Sequence, residues 1–402
     1  MSSLTEALAA ASAPKDEPAN KGTFTTDATG GEFKDVVVDR SLNDNFDHVF
    51  ELFKADPAKY AIVEDTVRCS TWQQSKAADD GSRDVVQLYS YSARFRRKVE
   101  GAITDAEIEE AQKRVRKWKL PKRIPGTGLG APVAAVLNLA DMQLYKSEGG
   151  GVDATLDRLR DGLENFQAEI DRQRKHHNIN ELVIVNNGDP FEGIAGNYAS
   201  QTHTVQGGLR KQMNLVLDVW SSYARELYPQ FEKGQFVSVL CNHTEFGRQG
   251  GSAKSITSDS DNGSAFLAET LQRILGASPA FDHVDFTIPH DEMSVYTTAA
   301  GVPMGFNHGH KIPGSDAAGF EKWLNGQARG DQRANEARIW VTAHRHNFQA
   351  WDLGSTFGFS CPSCDGGSKW LRDSTGKFSR SGILSFLVGE HHRLGWSDLA
   401  FL

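Results

Sequence analysis

The chain has 402 residues, of which 39% are hydrophobic and 24% charged, with 44 Lys+Arg against 52 Asp+Glu and a net charge of -8. That length predicts about two or three domains, and the composition is that of a globular protein rather than a disordered or fibrous one. The acidic balance excludes a chain that coats nucleic acid by bulk charge alone, and four cysteines in such a length exclude a disulfide framework.

Residues 1–32 are rich in Ala, Ser, Pro, Gly and charge and read as a mobile arm. They lack a basic start followed by an apolar stretch, so they are not a secretory signal. No run of about 18 apolar residues marks a membrane span, and a cytoplasmic location is expected. Residues 33–125 read as a smaller N-terminal α+β accessory domain. Within it VVQLYSYSARFRRKV alternates as a strand does. Thr104 with Glu107 three residues on is a capping box, and the helix it opens is acidic at its start and basic at its end. The stretch Lys113–Arg123 holds seven basic residues in eleven, with Trp118 among them. Together with Arg94, Arg96, Arg97 and Lys98, its Arg116, Lys117 and Lys119 are candidates for a cationic face beside the active site, where phosphates would be neutralised and a base stacked. The plainer reading is a helix end that complements its own dipole. Pro121 and IPGTGLGAP close the region.

From Ala131 the pattern changes. VAAVLNL, LVIVN, FVSVL, VPMGFN and IWVTA are short apolar runs that read as buried strands. Leu156, Leu159, Leu163, Phe166 and Ile170 lie at helical spacing between the first two. Leu209, Met213, Val216, Trp220, Tyr223 and Leu227 do so between the second and third, ending at Pro229. Strands alternating with amphipathic helices predict a layered α/β domain over 131–402.

Metal-binding residue types follow these runs. Asp141 and Gln143 follow the first, Asp189 and Glu192 the second, Asn242 and His243 the third. His308 and His310 follow the fourth, and His344 and His346 the fifth. Five of the 13 histidines fall in these short loops. Ligands bind at the carboxyl ends of strands in open α/β sheets. A carboxylate shared between two divalent ions, with imidazole and carboxamide completing the shells, leaves a site able to accept an anionic phosphate. Asp189 suits the shared position, and a neutral imidazole near the substrate assists the leaving oxygen.

The order Asp-x-Gln, Gly-Asp-x-x-Glu, Asn-His, His-Gly-His, Ala-His-x-His resembles the calcineurin-like metallophosphoesterase family. The resemblance implies two packed mixed β-sheets flanked by helices, a four-layer sandwich, and a centre of two divalent ions, manganese foremost, with iron, zinc or magnesium as alternatives. Asp141, Gln143, Asp189 and His346 would hold the first ion. Asp189, Asn242, His308 and His344 would hold the second, and His243 would be the catalytic histidine. The layout, with CDGGSKW and GILSFLVG near the end, looks most like bacteriophage DNA exonucleases related to the double-strand-break repair nucleases. This implies DNA as the substrate, in-line attack on phosphorus by a hydroxide bridging the metals, and the host bacterial cytoplasm as the setting. A homo-oligomer or a partner ATPase is compatible with that family but not specified by these residues. Three departures stand out: Gln143 in place of a His, Cys241 and Thr244 around Asn-His, and Ala343 in place of a Gly.

His203, His310 and Lys369 are further candidates for substrate contact, each with an ordinary loop or helix-start reading beside it. Cys361 and Cys364 have zinc-like spacing without a second pair and read as two plain thiols. Two other functions share these motifs: a phosphomonoesterase or nucleotide phosphodiesterase acting on small molecules, and a non-catalytic binding protein with a degraded metal site.

Overall fold

The computed structural model describes residues 22–26, 30–42, 45–63, 66–77, 83–97, 103–124, 130–198, 200–246, 259–314, 316–367, 372–373, 376 and 379–402. The chain divides into two compact units, Met1–Glu100 and Gly101–Leu402.

The first unit is one antiparallel sheet with a short helix. Its elements are β1 (Thr23–Thr26), β2 (Gly30–Val38), α1 (Asp47–Leu52), β3 (Tyr60–Ile62), β4 (Arg68–Ala77) and β5 (Arg83–Arg97). The order is β1-β2-β5-β3, with β4 also pairing β5. Phe33, Val36, Phe46, Phe50, Tyr91 and Phe95 form its core. The alternation read in VVQLYSYSARFRRKV is β5. Most of the expected arm lies outside the described residues, but Thr23–Thr26 pairs with β2 at Gly31–Lys34.

The second unit starts earlier than the Pro121 signal placed it. Helix α2 (Asp105–Val115) is capped as expected, with the Glu107 N–H donating to the Thr104 hydroxyl and the Thr104 N–H donating to the Glu107 carboxylate. Its apolar stripe of Ile108, Ala111 and Val115 belongs to the large core of this unit, which draws the helix away from the segment before it. The remaining elements are β6 (Pro132–Leu139), α3 (Gly151–Gln173), β7 (Asn178–Asn186), α4 (Leu209–Leu227), β8 (Lys233–Ser238), α5 (Gly263–Leu275), β9 (Val284–Thr287), β10 (Ser294–Ala299), β11 (Val302–Asn307), α6 (Ala317–Gln327), α7 (Gln332–Glu336), β12 (Ile339–Thr342), β13 (Gln349–Asp352), β14 (Phe357–Ser360), β15 (Leu384–Val388) and β16 (Trp396–Phe401). No helix among the described residues is long and apolar enough to cross a membrane.

Two mixed sheets result. One has the order β16-β15-β6-β7-β8-β9, in which β6 to β9 are parallel; the other is β10-β11-β12-β14-β13, in which β11, β12 and β14 are parallel. A strand buried on both faces needs apolar residues at every position, and the two faces of β6 serve different layers. Ala134 and Val136 join Val183, Val237, Met304, Phe306, Ile339 and Phe359 between the sheets. Val133, Ala135 and Leu137 join Leu159, Phe166, Met213, Trp220 and Leu271 beneath α3, α4 and α5. The other sheet is covered on its outer face by Phe320, Leu324 and Ala334 of α6 and α7, packed on Trp340. The architecture is therefore helices, sheet, sheet, helices: an α/β fold of two packed mixed sheets.

Trp340 is fully buried, with Tyr296, Trp323 and Phe320 set edge-on around it at ring-centroid distances of 5.6, 5.3 and 6.2 Å. Trp340→Ala is expected to lower the unfolding free energy by about 3–5 kcal/mol in urea denaturation. A loss below about 1 kcal/mol would show that the outer layer does not depend on that ring.

Candidate metal centre

The parallel strands of both sheets deliver their carboxyl ends to one place. Asp141 follows β6, Asp189 β7, Asn242 and His243 β8, His308 β11, His344 and His346 β12. A sixth loop, after β14, brings Asp365, which sequence reasoning had not singled out. The loops turn sharply. Asp141, Gln143, Asp189, His344 and His346 are five of the ten non-glycine residues with positive φ among the described residues. Such conformations cost of order 1–3 kcal/mol each and persist where surrounding contacts over-determine them. The contacts are cross-loop hydrogen bonds: the Asp141 N–H donates to the Gly188 carbonyl, the Gln143 N–H to the Asp189 carbonyl, and the His344 N–H to the Asp141 carboxylate. Gly188 has φ +98, and a Cβ there would lie 2.4 Å from His308 Nδ1, so the Gly of the Gly-Asp motif makes room for a ring from the other sheet.

Asp189, His308 and His344 each point one ligand atom into a cluster whose members lie within 4.8 Å of one another. His308 Nδ1 is 2.8 Å from the Asn187 carbonyl, to which it donates, leaving Nε2 to face Asp189 Oδ2 at 3.0 Å and Asn242 Oδ1 at 3.1 Å. Three acceptor atoms thus converge, and either a proton on Nε2 or a cation among them satisfies all three. Burial pulls the His308 pKa down, and the Asp189 carboxylate more than offsets it. His344 lies on the other side of the balance: burial and the neighbouring His308 push it down to about 3, so its ring is neutral and a competent ligand.

A second group adjoins the first. His346 Nε2 is 3.3 Å from Asp141 Oδ1, and its Nδ1 is 3.6 Å from Asp365 Oδ1. Burial lowers the His346 pKa, but Asp141 and Asp365 together push it up to about 10. Asp365 also accepts from the Ser363 hydroxyl, the Gly367 N–H and the Lys146 ammonium. Lys146 donates to Gln143 Oε1 as well, at 2.9 Å. The Gln143 oxygen expected to bind the first ion is therefore engaged by an ammonium, and the Gln143 Nε2 lies 3.4 Å from His243 Nε2.

His243 is held through Nδ1, which donates to the Glu192 carbonyl at 2.9 Å, and its own N–H donates to Asp189 Oδ1. Its Nε2 is 3.9 Å from Asp189 Oδ2. Burial lowers its pKa, and the carboxylates of Asp189 and Glu192 push it up to about 9. Thr244, a departure from the family pattern, donates to Asn262 Oδ1 and accepts the Ser264 N–H. Asn262 caps α5 and donates to the Cys241 carbonyl, so the Asn242–His243 loop is fixed by a helix start.

The charges favour a cation. Asp141, Asp189, Glu192 and Asp365 are each at most 1% exposed, and Lys146 is the one buried lysine among the described residues. Asp141 Oδ1, Asp189 Oδ2 and Glu192 Oε2 are buried, and each is met only by a titratable imidazole: His346 Nε2 at 3.3 Å, His308 Nε2 at 3.0 Å and His243 Nδ1 at 3.4 Å. Carboxylates removed from water without compensation are costly, and this donor set of carboxylate, imidazole and carboxamide suits a divalent ion.

Of the other candidates, His310 lies beside the cluster, its ring 5.5 Å from that of His308 and 6.2 Å from that of His344. Both ring nitrogens of His310 are buried without a hydrogen bond, and burial with the nearby His308 pushes its pKa down to about 2. His203 is exposed on the turn Gln201–His203. Lys369 lies outside the described residues. Cys361 and Cys364 are buried and not joined in a disulfide. The basic stretch is not beside the site. The Arg116 guanidinium donates to the Ala277 carbonyl beyond the end of α5, the Ile124 N–H to the Gln230 carbonyl beyond the end of α4, and Trp118 packs edge-on against Phe281. Those positions immediately precede β8 and β9. Arg116, exposed Lys117 and exposed Lys119 therefore sit at the amino edge of the sheet, opposite the loops that carry the candidate ligands, because α2 runs along α5 to that end.

No family model and no curated protein matches the chain. Solved structures similar to it include a Vps29 complexed with zinc from Entamoeba histolytica, at 12% identity over 66% of this chain and 98% of that one, with a TM-score of 0.29. An archaeal phosphodiesterase is 9% identical over 67% of this chain and 99% of that one, with a TM-score of 0.30. A predicted phosphoesterase from Streptococcus pneumoniae is 12% identical over 47% and 82%, with a TM-score of 0.25.

Adding manganese or zinc is expected to raise the melting temperature of the protein, by an amount set by concentration over Kd. Asp189→Asn removes the carboxylate that faces His308 and His243, so it should be less stable than the wild type without metal, and it should lose the metal-induced rise. An undiminished rise in that variant would place the cation elsewhere.

Proposed function

We propose that the chain is a metal-dependent phosphoesterase, a hydrolase acting on phosphodiesters, with DNA digested from its ends as the substrate. The observation that carries the reaction class is the convergence of Asp141, Asp189, Asn242, His308, His344 and His346 with His243 on one buried, under-compensated patch of carboxylate. Support for DNA comes from the motif order alone.

Asp189, Asn242, His308 and His344 would hold one divalent ion, and Asp141, Asp189 and His346 a second. Bound there, the ions supply Lewis-acid charge to the phosphoryl oxygens and to the attacking water. His243 is the residue that handles the leaving group. Its Nδ1 is anchored on the Glu192 carbonyl, so Nε2 is free to hold a proton for the departing oxygen. His310, neutral and unpartnered, contributes a donor to a bound phosphate.

A second reading, a phosphomonoesterase or nucleotide phosphodiesterase on small substrates, is favoured by the position of Arg116, Lys117 and Lys119 at the far edge of the sheet.

The deciding experiment incubates end-labelled single- and double-stranded DNA, bis-p-nitrophenyl phosphate and p-nitrophenyl phosphate with the manganese-loaded protein. Hydrolysis of DNA and of the diester is expected, with mononucleotides released early. His243→Ala should lower kcat by about 10²–10⁴ while leaving metal binding intact. Turnover of the monoester alone would replace the DNA reading by the small-substrate one, and full activity of His243→Ala would remove that residue from the chemistry.

A further inference from the structure

Lys146 is the buried charge that the proposed reaction does not use. Its ammonium, 8% exposed as a residue, is held between Gln143 Oε1 and Asp365 Oδ2. An ammonium only donates. The Gln143 amide must therefore turn its oxygen to Lys146 and its NH2 the other way, toward His243 Nε2. Gln143 has one atom able to bind a cation, and one of its two lone pairs already accepts from an ammonium, so a cation there would sit beside a fixed positive charge.

The clamp is built to stay shut. Asp365 accepts from Ser363 and Gly367 as well as from Lys146, so its carboxylate is fixed from three sides. Next to it, Gly366 lies against Gly149 so closely that a Cβ on either would stand 2.2–2.3 Å from the other's Cα. Arg158 ties the same two loops, donating to the Gly149 and Cys364 carbonyls. The loop that carries Asp365 and the loop that carries Lys146 are thus joined backbone to backbone.

We infer that Lys146 makes the metal centre unequal. The position formed by Asp189, Asn242, His308 and His344 keeps four protein ligands. The position formed by Asp141, Asp189 and His346 has as its fourth candidate only the Gln143 oxygen, already hydrogen-bonded to a fixed ammonium, which repels a second cation and offsets part of the carboxylate charge that would attract one. One ion is bound tightly; the other is weak and exchanges. Lys146 is a positioning residue in this account, acting through Gln143 and through its charge. The inference rests on the metal-dependent reading above.

The test is a manganese titration of the full chain, with free ion read by electron paramagnetic resonance and heats by calorimetry. The wild type should bind one ion tightly and a second at least about tenfold more weakly. Lys146→Gln removes the charge and keeps a donor for Gln143. The pair Lys146→Met with Asp365→Asn removes both partners, so that no buried carboxylate is stranded. Lys146→Gln should tighten the second ion by about tenfold or more, as expected for deleting a unit charge near a divalent cation at an effective dielectric of about 20. The pair removes equal and opposite charges, so it releases only the Gln143 oxygen and should tighten the second ion by a smaller factor. The first ion should move by about threefold or less in the same variants, being on the other side of the centre. Two ions of equal affinity in the wild type, or an unchanged second ion in both variants, would overturn the inference while leaving a phosphoesterase in place. A wild type that binds no ion would remove the inference together with the reading beneath it.

Discussion

Four carboxylates withdrawn from water at the meeting point of two sheet edges set the terms for everything around them. Asp141, Asp189, Glu192 and Asp365 bring more negative charge into the interior than one lysine balances. The fold tolerates this because the backbone around them is over-determined. Cross-loop N–H donors reach Asp141 and Asp189, and buried asparagines brace the strand ends: Asn187 donates to Asn138, and Asn186 to Ser238 and Ser264. Hydrogen bonds of that kind hold a carboxylate in place without neutralising it. What remains is an attraction for positive charge, answered locally by the imidazoles of His308 and His346 and by the Lys146 ammonium.

Much of this was legible before any coordinates. A parallel strand between two covered faces must be apolar throughout, so β6, β7, β8, β11 and β12 stood out as short apolar runs, and their carboxyl ends followed from chain direction. The five loops and their ligand types could be read at once. Asp365 was harder. It follows β14, FGFS, whose four residues carry little hydrophobic signal, and attention fell on the glycines and Lys369 after it rather than on the acid. The real part of Gly366 is close packing against Gly149, a contact between loops distant in sequence that no local pattern encodes.

The basic stretch shows a different limit. Its composition was plain, but composition does not say at which end of a sheet a helix finishes. The capping box at Thr104 fixed where α2 begins; the apolar stripe Ile108, Ala111, Val115 fixed what it lies along; only the pairing with α5 fixed its direction. The same holds for Gln143. Its residue type permits an oxygen ligand, and whether the oxygen is available depends on Lys146, three residues on in the same turn and tied to the opposite sheet by Asp365.

The separation between Arg116–Arg123 and the catalytic loops sets a length scale. Strand β6, eight residues long, spans about 26 Å at roughly 3.3 Å per residue, and the basic stretch and the loops lie at its two ends. A nucleic-acid strand touching both would need roughly eight nucleotides at about 3.4 Å each even on a straight path. Under the proposed nuclease reading, oligomers shorter than that would reach one end or the other but never both, so binding at the basic stretch and hydrolysis at the loops would be separable steps whose coupling grows with the size of the polymer.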